Sequence, residues 1–190
     1  MKKKKIIILI IVLVAVAAGG YFYSFVKRDC ALYDTDYSRS QMIPAVDIYE
    51  GSDFQYSFHC DKDNLTGVKV IASAINSEKA KGTITYSLLD KNGDKVTGPE
   101  TMKLSRFKNG KFTFLSFDTI KDSKDKDYTF VISCDRDKDN GARLAVQPDN
   151  GEVALSYTYT VWDLQTMIIF VVFTAYLVAF MSVLLKIFRK

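Results

Sequence analysis

Residues 53–74 read DFQYSFHCDKDNLTGVKVIASA, and this stretch decides the fold. Over 54–60 every second residue is apolar and the residues between them are polar, and the same alternation resumes over 68–74. A period of two buries one face of a β-strand and leaves the other face in water. The stretch therefore predicts two strands of a sheet.

The same period of two recurs along the chain as far as residue 159. Its apolar phases are Ile84-Tyr86-Leu88, Phe112-Phe114, Tyr128-Phe130-Ile132-Cys134, Leu144-Val146 and Val153-Leu155-Tyr157-Tyr159. Asn-Gly pairs at 92–93 and 150–151 supply the positive φ angles that tight hairpin turns need. Short strands separated by turns predict an all-β domain, an antiparallel, jelly-roll-like β-sandwich of about eight strands.

Two apolar segments without a charged residue flank this domain, at residues 6–26 and 164–185. Each has about the 20 residues that a helix needs to cross a bilayer. Lysines occupy positions 2–5 before the first segment, and Lys186, Arg189 and Lys190 follow the second. Because basic residues stay on the cytoplasmic side, we predict a two-pass plasma-membrane protein with both termini cytoplasmic and the central domain extracytoplasmic.

These boundaries divide the 190 residues into five parts. The parts are a cytoplasmic basic tail at 1–5, a transmembrane helix at 6–26, an extracytoplasmic β-sandwich domain at 27–163, a second transmembrane helix at 164–185 and a second basic tail at 186–190. All 22 acidic residues lie in the central part, and the net charge of +4 comes from the ends. This distribution excludes a soluble enzyme, a disordered chain and a nucleic-acid binder, whose basic charge would lie on the folded part.

The first apolar segment has an alternative interpretation as a cleaved signal peptide, with small residues at 17–19 before the cleavage point. The apolar run continues to Phe25, which is longer than a signal core and favours a retained anchor. Small residues also recur on one face of each segment, where they allow helices to pack closely. They are Ala15 and Gly19 in the first segment and Ala175, Ala179 and Ser182 in the second.

Residues that carry catalytic or metal chemistry are sparse. His59 is the one histidine, and it lies on the polar phase of its strand without a nucleophile or zinc ligands nearby in sequence. We therefore predict no enzyme, no catalytic residue and no cofactor. Asp135, Asp137 and Asp139 resemble the start of a calcium loop, but Val146 stands where the bidentate glutamate should be. A solvated hairpin loop is the default interpretation, and these aspartates are a weak metal candidate.

Three cysteines are an odd number for an exported domain. Cys60 and Cys134 both fall on an apolar phase at the end of a predicted strand, so a disulfide between them across the sandwich is a candidate. Two buried free thiols are the alternative, since cysteine packs as a small apolar residue. Under either interpretation, Cys30 is not paired with another cysteine.

Several segments share a pattern of turns and strand starts. They are Phe54-Gln55-Tyr56-Ser57-Phe58, Asn64-Leu65-Thr66-Gly67-Val68, Gly82 to Asp90 with Asn92-Gly93, and Phe117 to Tyr128. This pattern resembles an extracytoplasmic β-sandwich domain of large bacterial multi-span membrane proteins of the glycosyltransferase and polysaccharide-assembly type. The likeness covers about residues 50–160, and in that group the domain also lies between a first and a second membrane helix.

The resemblance implies a binding module for cell-surface glycan or an accessory to a glycan-handling membrane complex. It implies no transferase activity, because the catalytic multi-span body of that group is not among these residues. Sandwich domains bind sugars through exposed aromatic rings, and the candidates are Tyr33, Tyr37 and Tyr49. The alternative is a structural subunit that holds a polytopic membrane protein without touching glycan. The expected partners are thus the lipid bilayer and either glycan or a membrane protein, and not nucleic acid.

Overall fold

The computed structural model describes residues 2–76 and 80–188. These residues form helix α1 (Lys2–Tyr23), strands β1 (Phe25–Ala31), β2 (Ile43–Ile48), β3 (Phe54–Cys60), β4 (Leu65–Ala74), β5 (Thr83–Asp90), β6 (Lys95–Lys103), β7 (Phe112–Ile120), β8 (Lys126–Cys134), β9 (Ala142–Val146) and β10 (Leu155–Trp162), and helix α2 (Leu164–Phe188). The chain divides into two compact units, a β-domain over Arg28–Thr160 and a helical unit made of the residues before and after it.

The β-domain consists of two antiparallel sheets. One has the strand order β1-β10-β4-β9-β2, with β7 also paired to β4, and the other has the order β3-β8-β5-β6. The all-β prediction is confirmed, although the described residues hold ten strands where about eight are expected. The unforeseen strands β1, β2 and β6 are all at sheet edges, where a strand is less buried and needs no regular alternation of apolar residues.

The two sheets share one hydrophobic core. The predicted apolar phases of β3, β4, β5, β8, β9 and β10 all point into it. Phe58 of β3 stacks on Tyr157 of β10, with ring centroids 5.6 Å apart and planes 16° apart. The Tyr86 hydroxyl on β5 donates a hydrogen bond to the Ser116 carbonyl on β7 over 2.9 Å, which also joins the two sheets. Facing sheets with interdigitated side chains are the arrangement of a β-sandwich.

Strand β7 corrects one prediction about which residues face the core. Leu115 and Phe117 are buried in the core, whereas Phe112 and Phe114 lie on the other phase of the strand. Phe112 pairs with Ile71, on the outer side of β4. Both phases of FTFLSFDTI are apolar near its middle, so the local pattern has no preferred inward face and packing decides between them.

The helices differ from their predicted boundaries by a few residues. Helix α1 ends at Tyr23, where the Ser24 hydroxyl donates to the Gly20 carbonyl over 2.6 Å. Residues 25 and 26, predicted as membrane helix, therefore belong to β1. Helix α2 begins at Leu164 as predicted, because the Asp163 carboxylate accepts the Thr166 N–H over 3.0 Å as an N-cap. It extends past residue 185 to Phe188, and the ends of the predicted tails, Met1 and Arg189–Lys190, lie outside the described residues.

One helix of the described chain is both long and apolar enough to cross a membrane. It is Leu164–Phe188, with a mean hydropathy of 2.7. The apolar helical stretch described in α1 is Ile10–Tyr23, which is shorter than the roughly 20 residues that a bilayer requires. Among the described residues, one helix therefore meets both criteria, and it lies near the C-terminus, whereas the sequence predicts two spans.

Within the helical unit, α1 and α2 pack against each other at a glycine pair. A Cβ on Gly20 would lie 3.1 Å from the Phe170 ring, and one on Gly19 would lie 3.5 Å from it. The Tyr23 ring also contacts Phe170, at 5.3 Å between centroids. Gly19 thus lies against a large ring of α2, and the predicted close approach of helix backbones at Ala15 and Gly19 stays a prediction. The small face of α2 is exposed in this structure, at Ala175, Ala179 and Ser182.

Candidate functional site

Three aromatic side chains pack on one apolar cluster on the outer side of the larger sheet, and we call Tyr33, Tyr37 and Phe112 the aromatic platform. All three are half-buried, and the rings of Tyr33 and Phe112 have centroids 5.9 Å apart and planes inclined by 30°. Beneath them lies a small second apolar cluster of buried side chains, Met42, Ile71, Ala145 and Ala154. The platform therefore rests on a packed base and keeps part of each ring in solvent.

The loop between β1 and β2 carries the two tyrosines, and a buried amide holds it in place. The Gln147 side chain is fully buried, and its Nε2 donates to the Asp34 carbonyl over 2.8 Å. Its Oε1 accepts from Asn150 Nδ2 over 3.2 Å, so both ends of the amide are used. A buried polar group with its partners in place orders the segment it binds. Gln147 thus positions the backbone beside Tyr33.

Carboxylates surround the hydroxyl of Tyr37. Its hydroxyl donates a hydrogen bond to Asp149, in the turn before β10. This hydrogen bond is the main cause that raises the pKa of Tyr37, and the nearby carboxylates of Asp34 and Asp36 add to the increase. The Tyr37 edge of the platform therefore carries hydrogen-bond acceptors and negative potential.

Cationic side chains contact two aromatic rings of β7. The Arg39 guanidinium lies 5.3 Å from the centroid of the Phe112 ring, in a cation–π contact. On the same face of β7, the Lys69 ammonium lies 6.0 Å from the Phe114 ring and forms an ion pair with Asp29. Apolar ring faces bordered by carboxylates and cationic donors can hold a molecule that has an apolar face and a polar rim, such as a pyranose ring.

The structure brings together two of the three aromatic residues predicted to contact glycan. Tyr33 and Tyr37 belong to the platform, while Tyr49 follows the end of β2 that pairs with Ala142. Asp149, which accepts the hydrogen bond from Tyr37, follows the other end of β9. Tyr49 and Tyr37 therefore lie at opposite ends of the pair of strands β2 and β9. Sequence reasoning missed Phe112 and Arg39. The signal was present, because β7 has aromatic residues in both of its phases, but it was interpreted as a core face.

All three cysteines are free thiols in this structure, and Cys60 and Cys134 lie too far apart for the disulfide predicted between them. Cys60 pairs with Lys126, the first residue of β8, whereas Cys134 is the last residue of that strand. At about 3.4 Å per residue the two cysteines are about 27 Å apart along the strand, and a disulfide requires Cα atoms within about 7 Å. The alternation correctly placed both side chains in the core but could not show that they lie at opposite ends of it.

The three aspartates that resemble a calcium loop lie in the connection between β8 and β9, and two of their carboxylates accept hydrogen bonds from backbone N–H groups. Asp137 accepts the Asn140 N–H over 3.1 Å, and Asp135 accepts the Thr83 N–H over 2.7 Å. The N–H of Asp139 also donates to Asp137. Within 2–76 and 80–188, no three His, Cys, Asp or Glu side chains are grouped so that they could hold a metal ion.

His59 forms a cross-strand pair on the solvent side of the smaller sheet. Its Nδ1 lies 2.8 Å from the Asp127 carboxylate, and both side chains are more than half exposed. Asp127 also borders a surface cleft of about 420 Å³ with Asp90 and Tyr128. The Asp90 carboxylate in that cleft accepts the N–H groups of its own hairpin turn, from Asn92 over 2.8 Å and Asp94 over 2.9 Å. These groups stabilise strands and turns.

No protein-family model matches this sequence, and no curated protein matches it. Among solved structures, the chain is similar to part of the mosquito-larvicidal Cry4Aa toxin from Bacillus thuringiensis, with a TM-score of 0.40 and 9% sequence identity. The matched region covers 71% of this chain and 23% of the toxin chain.

Proposed function

We propose that this chain is a non-enzymatic, membrane-anchored module whose β-domain lies outside the cell and contacts cell-surface glycan. The observation that carries the proposal is the aromatic platform of Tyr33, Tyr37 and Phe112. Pyranose rings have an apolar C–H face that packs on aromatic rings and hydroxyl groups that need hydrogen-bond partners at the rim. The platform offers both, and the resemblance of the strand and turn motifs to domains of polysaccharide-assembly proteins points to the same ligand class.

We also propose that both helices cross the bilayer and that the two basic tails lie in the cytoplasm. Lysines at 2–5 and Lys186 support this orientation by the positive-inside rule. Aromatic side chains gather where the helices meet the flanking strands: the rings of Tyr21 and Trp162 lie 6.4 Å apart, and Tyr21 also contacts Phe25. Tyr and Trp favour the membrane–water interface, so this group suits the outer surface of the bilayer.

Glycan binding is tested with the full chain in mild detergent, on an array of bacterial cell-surface polysaccharides. Tyr33→Ala and Phe112→Ala should each lower affinity for the bound glycan about tenfold, which corresponds to about 1.4 kcal/mol for one stacked ring. Tyr49→Ala is the matched control, because Tyr49 is also a half-buried tyrosine but lies outside the platform. No glycan bound by the parent chain, or an equal loss with Tyr49→Ala, would refute binding at the platform.

The orientation is tested with single cysteines in a variant whose three native cysteines are replaced by serine. Lys108→Cys lies at an exposed position of the β-domain, and Lys190→Cys lies in the predicted cytoplasmic tail. A membrane-impermeant maleimide should label position 108 in intact cells, and position 190 only after the cells are opened. Labelling at 190 in sealed cells contradicts the two-pass orientation.

The alternative function is a subunit that holds a polytopic membrane protein. The exposed small face of α2, at Ala175, Ala179 and Ser182, favours it, since such a face admits a second helix backbone closely. Copurification of one polytopic protein, lost in Ala179→Phe but kept in Tyr33→Ala, would support this function. Glycan binding that is lost in Tyr33→Ala and kept in Ala179→Phe supports the first.

A further inference from the structure

The two cysteines nearest the N-terminus lie on edge strands of opposite sheets. Cys30 is on β1, at the edge of the larger sheet, and Cys60 is the last residue of β3, at the edge of the smaller one. Cys60 is fully buried in the shared core, and Cys30 is half-buried and packs against the same core. Both side chains therefore point into the interior of the sandwich at its edges.

The pairing of β1 with β10 places Cys30 beside Tyr157. The Leu32 N–H donates to the Leu155 carbonyl over 2.9 Å, and the Thr158 hydroxyl donates to the Asp29 carboxylate over 2.7 Å. In an antiparallel pair, this register sets Cys30 opposite Tyr157. Interaction with the Cys30 side chain is one of the smaller causes that raise the pKa of Tyr157, after burial and the hydrogen bond to Asp61.

The Tyr157 side chain crosses the interior to the end of β3. Its ring stacks on Phe58, which lies two residues before Cys60 on the same face, and its hydroxyl donates to Asp61, the residue after Cys60. The Tyr157 side chain thus lies opposite Cys30 and contacts residues on both sides of Cys60 in sequence. Burial is the main cause that raises the pKa of the Cys60 thiol, and the charges of Asp61 and Cys30 add smaller increases.

We propose that Cys30 and Cys60 form a disulfide that joins the edges of the two sheets. Cys134, at the far end of β8, is the thiol left unpaired. The bridge would tie β1, the strand that directly follows helix α1, to the smaller sheet.

The bond forms by thiol–disulfide exchange with an oxidised dithiol compound. The Cys30 thiolate, which is the more exposed of the two, attacks one sulfur of the oxidant and releases its other sulfur as a thiolate. The Cys60 thiolate then attacks the Cys30 sulfur and releases the rest of the oxidant. The chain loses two electrons and two protons, and the oxidant gains both as two thiols. In the cell, disulfides persist in oxidising compartments outside the cytoplasm. The inference therefore rests on the proposed function in one respect, the extracytoplasmic location of the β-domain, where such an oxidant is supplied.

The test uses the full chain in mild detergent, reduced and then equilibrated with oxidised and reduced glutathione. Free thiols are blocked with N-ethylmaleimide and the unreduced chain is digested with trypsin. Cleavage after Arg28, Arg39, Lys62, Lys126 and Arg136 puts each cysteine on its own peptide. We expect peptides 29–39 and 40–62 to be joined, with 127–136 alkylated. Cys134→Ser should keep the joined pair, and Cys30→Ser should abolish it.

A second measurement follows thermal unfolding. Closing the loop from residue 30 to residue 60 should raise the unfolding midpoint by about 10 °C in the parent chain and in Cys134→Ser, and not in Cys30→Ser. Cys30→Ser decides the outcome because its site is half-buried at an edge, whereas Cys60→Ser alters the buried core. A link between 60 and 134, or separate glutathione adducts on Cys30 and Cys60, would overturn the proposal. Since this assay uses purified chain without glycan or membrane, a failed glycan or orientation assay leaves its result unchanged.

Discussion

Strand β7 offers the sharpest test of the structure, because two apolar residues three positions apart on it face opposite sides of the sheet. Leu115 is fully buried in the shared core, whereas Phe112 is half-buried on the outer face of the sheet. Each is replaced by alanine in the full chain. Leu115, which has the smaller side chain, should be the more important for stability, and Phe112, which has the larger one, should be the more important for glycan binding.

The magnitudes follow from what each side chain contacts. Leu115→Ala removes a fully buried side chain and leaves a cavity between the sheets, at a cost of about 3 kcal/mol. Phe112→Ala removes a ring contact with Tyr33 and a cation–π contact with Arg39 at a half-exposed site, at a cost of about 1 kcal/mol. At about 4 °C per kcal/mol for a domain of this size, the unfolding midpoints fall by about 12 °C and about 4 °C.

Thermal unfolding is followed by the near-ultraviolet circular dichroism of the aromatic side chains, in one detergent for all variants. Glycan binding is then measured well below the midpoint of the Leu115→Ala variant. We expect Leu115→Ala to bind like the parent chain and Phe112→Ala to lose about tenfold in affinity. A larger loss of stability with Phe112→Ala than with Leu115→Ala would show that β7 faces the other way. The reasoning about the core face would then be refuted.

Three further substitutions probe other parts of the β-domain. A Cβ on Gly67 would lie 2.8 Å from a ring carbon of Phe114, so Gly67→Ala should cost about 2 kcal/mol in thermal or urea unfolding, and a neutral result contradicts the close packing. Hydrogen bonds from Arg143 lower the pKa of Asp47 in the folded state. The stabilisation from this pair is therefore fully present above about pH 4 and is lost as the pH falls through the lower pKa of the folded state. In Asp47→Asn, the free energy of unfolding should fall less steeply as the pH is lowered through this range. Burial, and then the hydrogen bond to Asp61, raise the pKa of Tyr157. Its neutral form stabilises the fold fully below about pH 10 and progressively less above it, so Tyr157→Phe should unfold less steeply in alkali, and an unchanged pH profile would contradict this.

The parts of the fold that were predicted correctly depend on short-range patterns. In β5 and β8 one phase is apolar and the other mainly polar, so only one face can be buried without cost, and both strands point as expected. The start of α2 was equally clear, because a long uncharged apolar run begins directly after Asp163. Three edge strands, β1, β2 and β6, were missed because a strand with one free side and little burial needs no alternation.

The candidate site was harder to predict because its parts come from distant positions in the chain. Tyr33 and Tyr37 were identified as exposed aromatic residues of a polar segment, but no local signal indicated that they meet Phe112 on another strand. That contact depends on the loop between β1 and β2 folding over the sheet, which the buried side chain of Gln147 holds in place. A single glutamine in a sequence does not show that it will be buried.

Composition and periodicity alone therefore determine that this chain has apolar helices at its ends and an antiparallel β-domain between them. Each of these features is one that a segment can form by itself. A helix satisfies most of its backbone hydrogen bonds within its own segment, and an alternating strand has one apolar side to bury. The tertiary structure alone decides which face of β7 is buried, which aromatic residues form the platform, and that Cys60 and Cys134 lie at opposite ends of β8. These features depend on the strand order and on how the two sheets pack. A strand that is apolar on both faces can bury either one, and a cysteine at the end of a strand can lie beside more than one neighbour, so the local sequence does not choose between the possibilities.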